Sequence, residues 1–460
     1  MNFEEIYAAA AAASANLIGD RCAMVFISAS SAVDFAPLVD SIQKGLKRSL
    51  EARVFRAGSM GYYNLEPMLL IEKPGRAGGI MYASVTPEAA PGLVEDYLAR
   101  GSARPETALG SFGGESLDSI PRVSEIPLFN LQNRLALRNC GYIDPMNIDH
   151  YIVRGKGYAG LARAIRMGPA EVIGALRRSG LRDRDGEGRG TADKWQDGRN
   201  AAGSDKYIVC NAVDADPRSL TARLLLGSDP HVVLEGLLIG AYAVGAARCF
   251  ICVDSEDRPG LEMLGKALQQ MGRYNLLGRG ILSSDFSVEI EIREVAAGLV
   301  AGEETALLRA LEGKQALPCL PTGPAAQPGY KGCPAVVNDI ETLANVSGIF
   351  QNGPEWLSGA GAGESHGTKI VTVTDGEKKL TVEVPFGTTL RTLVTDIGGH
   401  REVEAVQFGG ATGAFFTAAG LDVPITYEAM KKAGSDIGPG TAVIVGGGTC
   451  PVAMAREAVS

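Results

Sequence analysis

The sequence predicts an α/β protein built in three parts. Apolar runs of strand length alternate with amphipathic stretches over residues 1–101, and again from 207 to about 346, which is the pattern of strands and helices packed in layers. Residues 102–121 and 352–367 turn polar and rich in Pro and Gly, as linkers do. Residues 368–446 then hold short β-type runs around one helical stretch.

Taken in order, Glu4 and Glu5 open an Ala-rich helix. It is followed by a strand over Ala23–Ser28 and an amphipathic helix with Phe35, Leu38, Ile42 and Leu46 on one face. Strands are predicted at 52–56, 67–72 and 79–85, and then a helix with Thr86 as N-cap and Pro87 in its first turn. That order is thioredoxin-like. From about 122 to 178 the pattern is helical, in PLFNLQNRLALRNCG, NIDHYIVRGKGYAGLARAIR and PAEVIGALRRSG. The Pro/Gly-rich segment 318–334 is either a loop over a pocket or a surface crossover. Runs at Lys369–Thr374 and Thr381–Val384, a helix from Thr389 to Ile397 and a strand at Glu404–Phe408 give the hairpin–helix–strand order of a β-grasp domain.

With 460 residues, 45% hydrophobic and 21% charged, the chain can bury large cores and divide into two to four domains. A net charge of −9 argues against nucleic acid or an anionic membrane as the main partner. The 59 glycines are interspersed with apolar runs, so they point to tight turns and close backbone approaches. Eight cysteines are scattered singly, without a disulfide framework. The one C-x-x-C, Cys249 to Cys252, lies in the strand-like run RCFICV, where the two side chains face opposite ways and pack into cores. The acidic N-terminus does not suit a signal peptide, and the apolar stretch 236–247 is too short to span a bilayer. A cytoplasmic protein without a membrane span is expected.

The stretch that carries the chemistry runs from Ser179 to Asp216: SGLRDRDGEGRGTADKW, followed after about a dozen residues by KYIVCNAVDADP. A Gly-rich loop lets backbone N–H groups approach a phosphate. This one also carries Asp183, Asp185 and Glu187, which an anion site should not tolerate.

With these residues in view, the chain resembles the NADH-oxidising flavoprotein subunit of respiratory complex I. It resembles more closely the β subunits of NAD-linked, electron-bifurcating hydrogenases. LQNRLALRNCGYIDPMNIDHYI, SDPHVVLEGLLIGAYAVGA, ILSSDFSVEIEIREV with GEETALLRALEGK, and PAVVNDIETLANV match blocks of that family in order. The resemblance implies a thioredoxin-like unit over 1–101, a linker over 102–121, a Rossmann-like FMN/NADH-type α/β unit over 122–351, a β-grasp unit over 368–446, and at 447–460 the start of an iron–sulfur helical region that is cut short.

The family's flavin loop reads S-G-L-R-G-R-G-G-A-G-F-P-T-G-x-K-W and aligns to 179–195 without a gap. Ser179, Gly180, Leu181, Arg182, Arg184, Gly186, Gly188, Thr191, Lys194 and Trp195 are retained. Two glycines are Asp183 and Asp185, the Ala is Glu187, and the aromatic near the nicotinamide is Arg189. At an effective dielectric near 20, one carboxylate ~6 Å from a phosphate charge costs ~3 kcal/mol, about a hundredfold in affinity. Arg182, Arg184 and Arg189 are expected to offset part of that repulsion.

The family's acidic turn N-A-D-E-G-E-P-G appears as Asn211-Ala-Val-Asp214-Ala-Asp216-Pro-Arg218. The resemblance gives Asp214 and Asp216 a place at the flavin and nicotinamide end, while a satisfied turn after a strand is an equal alternative. Glu303, Glu304 and Asn338 are retained, Leu299 stands for an aromatic, and Asp339 for an Asn. The cofactor-binding set implied by the family is therefore Arg182, Arg184, Gly186, Lys194, Asn211, Asp214, Asp216, Glu303, Glu304 and Asn338. The family's G-C-x-x-x-C appears as Gly58-Ser59-Met-Gly-Tyr-Tyr63, and FISASSAVDF holds no cysteine for the first pair. Cys450 alone cannot hold a cluster.

Two functions are thus expected. In the first, the chain is a degenerate, catalytically impaired member of the family without an iron–sulfur cluster, holding FMN and NAD(H) weakly or not at all. It would then be a pseudoenzyme with a structural or docking role beside other redox subunits, iron–sulfur proteins among them. In the second it is an active NADH:acceptor oxidoreductase subunit with FMN in a remodelled site, passing electrons to a partner.

Overall fold

The structure, a computed structural model, describes residues 1–14, 22–46, 52–74, 78–113, 119–203, 205–214, 216–298, 300–320, 329–446 and 450–459. It is a mixed α/β protein organised on three five-stranded sheets.

The first sheet holds β1 (Ala23–Ser28), β2 (Ala52–Ala57), β3 (Met68–Glu72), β4 (Gly78–Tyr82) and β5 (Ala108–Gly113), in the order β2-β1-β3-β4-β5. β1 runs parallel to β2 and antiparallel to β3, the thioredoxin-like arrangement. Side-chain alternation along β1 builds two cores at once. Val25 and Ile27 pack with Leu38 and Ile42 of one helix and Leu93 and Val94 of another. Phe26, on the other face, packs with Val371, Val384 and Phe408 far along the chain. The segment 102–121, expected as a linker, instead supplies the edge strand β5. The helix expected to start after Thr86 begins at Ala90, with Pro91 in its first turn. Thr86 accepts the Ala89 N–H in a preceding turn.

The central sheet holds β6 (Tyr207–Ala212), β7 (Arg248–Asp254), β8 (Glu289–Val295), β9 (Gly329–Tyr330) and β10 (Cys333–Asp339), in the order β8-β7-β6-β10-β9. β6, β7, β8 and β10 are parallel. Strand order reverses between β6 and β10, which is where open α/β sheets form a crevice at their carboxyl ends. Asn211 and Asp339, the last paired residues of those strands, face each other there. The helix Pro230–Val244 lies buried behind the sheet. At Gly236 a Cβ would come within 2.0 Å of the Leu343 carbonyl, so glycine permits that helix crossing. Cys249 and Cys252 point into different cores on opposite faces of β7.

Within the segment expected to be helical, PLFNLQNRLALRNCG, only Pro127–Asn130 is a helix, and 131–147 is irregular. Tertiary contacts replace the helical ones. Glu383 accepts the Ala136 and Leu137 N–H groups, and its own N–H donates to the Gln132 side chain. The second expected linker carries a short helix, Glu355–Ser358, and a two-stranded ribbon of β11 (Gly361–Ala362) and β12 (Ser365–His366).

The C-terminal sheet holds β13 (Thr368–Thr374), β14 (Lys379–Pro385), β15 (Ala405–Phe408), β16 (Ala414–Thr417) and β17 (Thr441–Val445), in the order β14-β13-β17-β15-β16. A hairpin whose first strand runs parallel to the last strand is the β-grasp arrangement. The helix expected from Thr389 is wound as a π-helix over Thr392–Ile397. Among the described residues no single helix is long and apolar enough to cross a membrane.

Candidate functional site

Gly180, in the left-handed region at φ 67°, ends the helix Pro169–Ser179, and the next helix is Thr191–Asn200. Between them the chain makes a narrow excursion. It is closed by hydrogen bonds from Asp183 N–H to the Arg189 carbonyl (2.8 Å) and from Thr191 N–H to the Leu181 carbonyl (3.0 Å). The tip packs against Tyr427 and Gly438 of the C-terminal part. A Cβ on Gly188 (φ 67°) would lie 2.4 Å from the Tyr427 ring, and one on Gly186 (φ 110°) would lie 3.0 Å from Gly438 Cα. Both glycines are needed for this approach.

Asp183 does point into the crevice, and it is bound there. One carboxylate oxygen accepts from the Thr342 hydroxyl (2.6 Å), the Arg184 N–H (3.0 Å) and the Asp339 N–H (3.1 Å). The other accepts from the Lys194 ammonium (2.8 Å) and the Asn338 amide (2.8 Å). The Trp195 indole N–H donates to Asn338 Oδ1 at 2.8 Å, which turns that amide's NH2 toward Asp183. Burial alone would raise the Asp183 pKa, but Lys194 and the other donors outweigh it and hold the carboxyl below its ordinary value. A set of donors that would suit an oxyanion thus serves a side chain of the loop itself.

Lys194 also lies 3.5 Å from Glu304 and 3.7 Å from Asp185, so one ammonium faces three carboxylates. Burial would lower its pKa, yet the three carboxylates push it up. Burial and the Asp183 charge raise Asp185 to about 7. Burial raises Glu304, and burial with Glu341 and Asp183 raises Asp339 to about 8. Of the groups around Asp183, Asp185 reaches Lys194 alone, at 3.7 Å. Its carboxylate accepts the Glu187 and Gly188 N–H groups of its own turn, and Glu187 is exposed.

The three arginines expected to offset these acids are engaged elsewhere. Arg182 stacks 4.0 Å over Tyr427 and pairs with Glu428. Arg184 is fully buried, donates to the Tyr427 hydroxyl and the Arg182 and His366 carbonyls, and lies 4.7 Å over the Phe386 ring. Arg189 pairs with Asp197 on the surface at 2.5 Å. Aromatic rings of the C-terminal part take the first two guanidinium groups, as their planar charge favours. Lys194, rather than an arginine, answers the acid, and Asp183 is held by hydrogen-bond donors of the crevice.

The acidic turn is satisfied within the chain. Asp214, raised by burial to about 6, accepts from the Ser219 hydroxyl (2.8 Å) and the Ala222 N–H (3.3 Å). Asp216 receives the Arg218 guanidinium at 2.9 and 2.8 Å, and the same guanidinium reaches Gln407 of β15 at 3.0 Å. Asn211 donates to the Gly302 carbonyl, and Glu303 caps the helix Glu304–Leu311 through the Ala306 N–H. Of the residues singled out from the sequence, Lys194, Glu304 and Asn338 meet around Asp183. Arg182, Arg184, Asp214 and Asp216 engage the partners just named. Thr342 and the Asp339 N–H were missed, because backbone donors and a lone hydroxyl leave no motif, and Arg218 was read only as the end of the acidic turn, not as the partner of Asp216. Leu299 and residues 321–328 of the loop 318–334 lie outside the described residues.

At the other end of the chain, Ser59 is buried, and its hydroxyl donates to Glu66 and accepts the Gly61 N–H at 2.9 Å. Glu66 also accepts the Ser30 N–H at 2.6 Å, so one carboxylate ties together the two loops where the family's cysteine pairs would stand. Burial raises its pKa.

Comparison with known proteins agrees with this architecture. Residues 176–348 match the family profile described as the Nuo51 FMN-binding domain. The NADP-reducing hydrogenase subunit HndC of Solidesulfovibrio fructosivorans is 41% identical over 330 residues, covering 71% of this chain and 67% of that protein. An F-type subunit of NADH-quinone oxidoreductase in Rhizobium meliloti is 33% identical over 329 residues, covering 70% and 78%. A chain of an NAD+-reducing [NiFe]-hydrogenase crystal structure in the air-oxidized state superposes with a TM-score of 0.59 at 23% identity. That match covers 98% of this chain and 76% of the other, and it bears on the fold. The chain belongs to the family of the Nuo51 FMN-binding domain, alongside the F-type subunits of NADH-quinone oxidoreductases and the hydrogenase protein HndC.

Proposed function

We propose that this chain is a subunit of a multi-subunit NADH-linked redox complex in which its role is structural or docking, with impaired flavin chemistry. The observation that carries the reading is the Asp183 carboxylate. It takes the donors of Lys194, Asn338, Thr342 and two backbone N–H groups, which a phosphate or flavin at this loop would need. As arranged, the residues do not fit FMN there. The internal pairing of Asp216 with Arg218 supports the same reading. So does the tie made by Glu66, which stands where cluster ligands would be required.

Native purification tests it. The chain should be recovered with at least one redox subunit by gentle pull-down, and the isolated chain should lack a flavin absorption band. Recovery as a lone monomer would remove the docking role. A stoichiometric flavin band would favour the second reading, a working NADH:acceptor oxidoreductase subunit with FMN in a remodelled site. That alternative has one specific observation behind it, the family match across 176–348 with Lys194, Asn211, Glu303, Glu304 and Asn338 in place.

A further inference from the structure

We propose that Asp183 is an internal ligand: its carboxylate substitutes for a bound oxyanion and keeps the crevice between β6 and β10 in a ligand-held arrangement without any ligand. The inference rests on the reading of the chain as a member with a closed flavin site, and it adds what closes the site and which chemical class the opened site would take.

The donors come from separate elements. Lys194 lies on the helix that follows the loop, Asn338 and Asp339 end β10, and Thr342 lies in the first turn of the helix Ile340–Asn352. The Arg184 N–H comes from the loop itself. Asp183 is the common acceptor that ties these pieces together. An ammonium, an amide NH2, a hydroxyl and the Asp339 N–H, with the Arg184 N–H shared between the anion and Thr342 Oγ1 at 2.8 Å, converge on one buried anion and form a cradle for a tetrahedral or planar oxyanion. A carboxylate contributed by the chain satisfies that cradle without the entropy loss of capturing a free ion. The Trp195 indole strengthens the assignment, because its N–H holds the Asn338 oxygen and leaves only the donor end of the amide facing inward. With the carboxylate removed, the Asn338 amide, the Asp339 N–H and the Thr342 hydroxyl would lose their acceptor, which is costly in a buried site, while Lys194 would keep Glu304 at 3.5 Å and Asp185 at 3.7 Å. The position should then depend on an external anion.

The experiment compares the full-length wild type with Asp183→Ala and Asp183→Asn by thermal unfolding, in increasing inorganic phosphate and in chloride at matched ionic strength. Wild type should show no saturable phosphate effect beyond that of chloride. Asp183→Ala should melt several degrees lower in chloride and regain about 2–4 °C or more, saturably, in phosphate. Asp183→Asn keeps the volume but puts amide hydrogens against donors, so it should melt lower and show a weaker phosphate response. If Asp183→Ala is recovered folded only in phosphate, the inference stands. If Asp183→Ala melts like wild type, or gives no phosphate response where wild type gives none, the inference is overturned. If Asp183→Ala does not fold in either salt and Asp183→Asn melts like wild type, it is overturned too. None of these outcomes depends on flavin binding by wild type, which tests the parent reading separately.

Discussion

The Lys194 ammonium and the Asp183 carboxylate are 2.8 Å apart, and both side chains are withdrawn from solvent. A buried pair of this kind is sensitive to loss of either partner, since the remaining charge is stranded. Here the asymmetry is larger on one side, because Lys194 also faces Asp185 and Glu304. Lys194→Met should destabilise the protein by about 3–5 kcal/mol. Combining it with Asp183→Asn should cost less than the sum of the two single changes, as expected of groups in contact. Chemical denaturation of the four proteins gives the coupling directly.

Asp185 predicts a pH dependence. Its folded pKa of about 7 lies above the ordinary value of 3.8. As pH rises through that window the unfolded chain releases the proton while the folded chain retains it, so stability falls and levels off above about 7. Asp183, held below its ordinary value, acts in the opposite direction and loses its contribution only as pH falls into the acid range. Asp185→Asn should therefore raise the melting temperature more at pH 8 than at pH 5. Its amide oxygen still accepts the turn N–H groups. Equal shifts at both pH values would contradict the assignment.

Glu383 holds the irregular segment after residue 131 against the C-terminal sheet through the Ala136 and Leu137 N–H groups and the Thr368 hydroxyl, which donates at 2.5 Å. Glu383→Ala leaves buried donors without an acceptor and should cost at least about 3 kcal/mol, whereas Glu383→Gln retains an acceptor and should cost less. Hydrogen exchange at Ala136 and Leu137 should quicken in the alanine variant before the rest of the chain is affected.

Ser59 and Glu66 predict an absence of iron. Elemental analysis and electron paramagnetic resonance after anaerobic purification should show no stoichiometric cluster on the isolated chain. A reproducible cluster on that chain would contradict the prediction.

The layered α/β order was legible because alternation and amphipathic spacing are local properties, as in Ala23–Ser28 and the helix Ala36–Gly45 with Leu38 and Ile42 buried. The acid-for-glycine exchange at 183 was equally visible. Its consequence was not, because Asn338 and Thr342 lie 155 and 159 residues away in sequence and meet Asp183 only in the folded chain. Likewise Arg184 reads as a phosphate ligand until the fold lays Phe386 and Tyr427 against it. The segment LQNRLALRNCG has helical spacing, but its Asn133, Ala136 and Leu137 N–H groups are claimed by Glu383. The strand β5 was hidden because ALGSFG is poor in β-branched residues.

A flavin fluorescence-quenching titration tests the central claim most directly. It compares wild type, Asp183→Gly, and the triple variant Asp183→Gly, Asp185→Gly, Glu187→Ala. Wild type should give no saturable quenching of FMN. Asp183→Gly alone should improve FMN affinity by roughly a hundredfold or more, since it removes one buried carboxylate and frees Lys194, Asn338 and Thr342. The triple variant should add less than Asp183→Gly does, because Asp185 is held by its own turn at 3.7 Å from Lys194 and Glu187 faces solvent. Tight, stoichiometric quenching by wild type would contradict the account and make the working flavoenzyme the better reading.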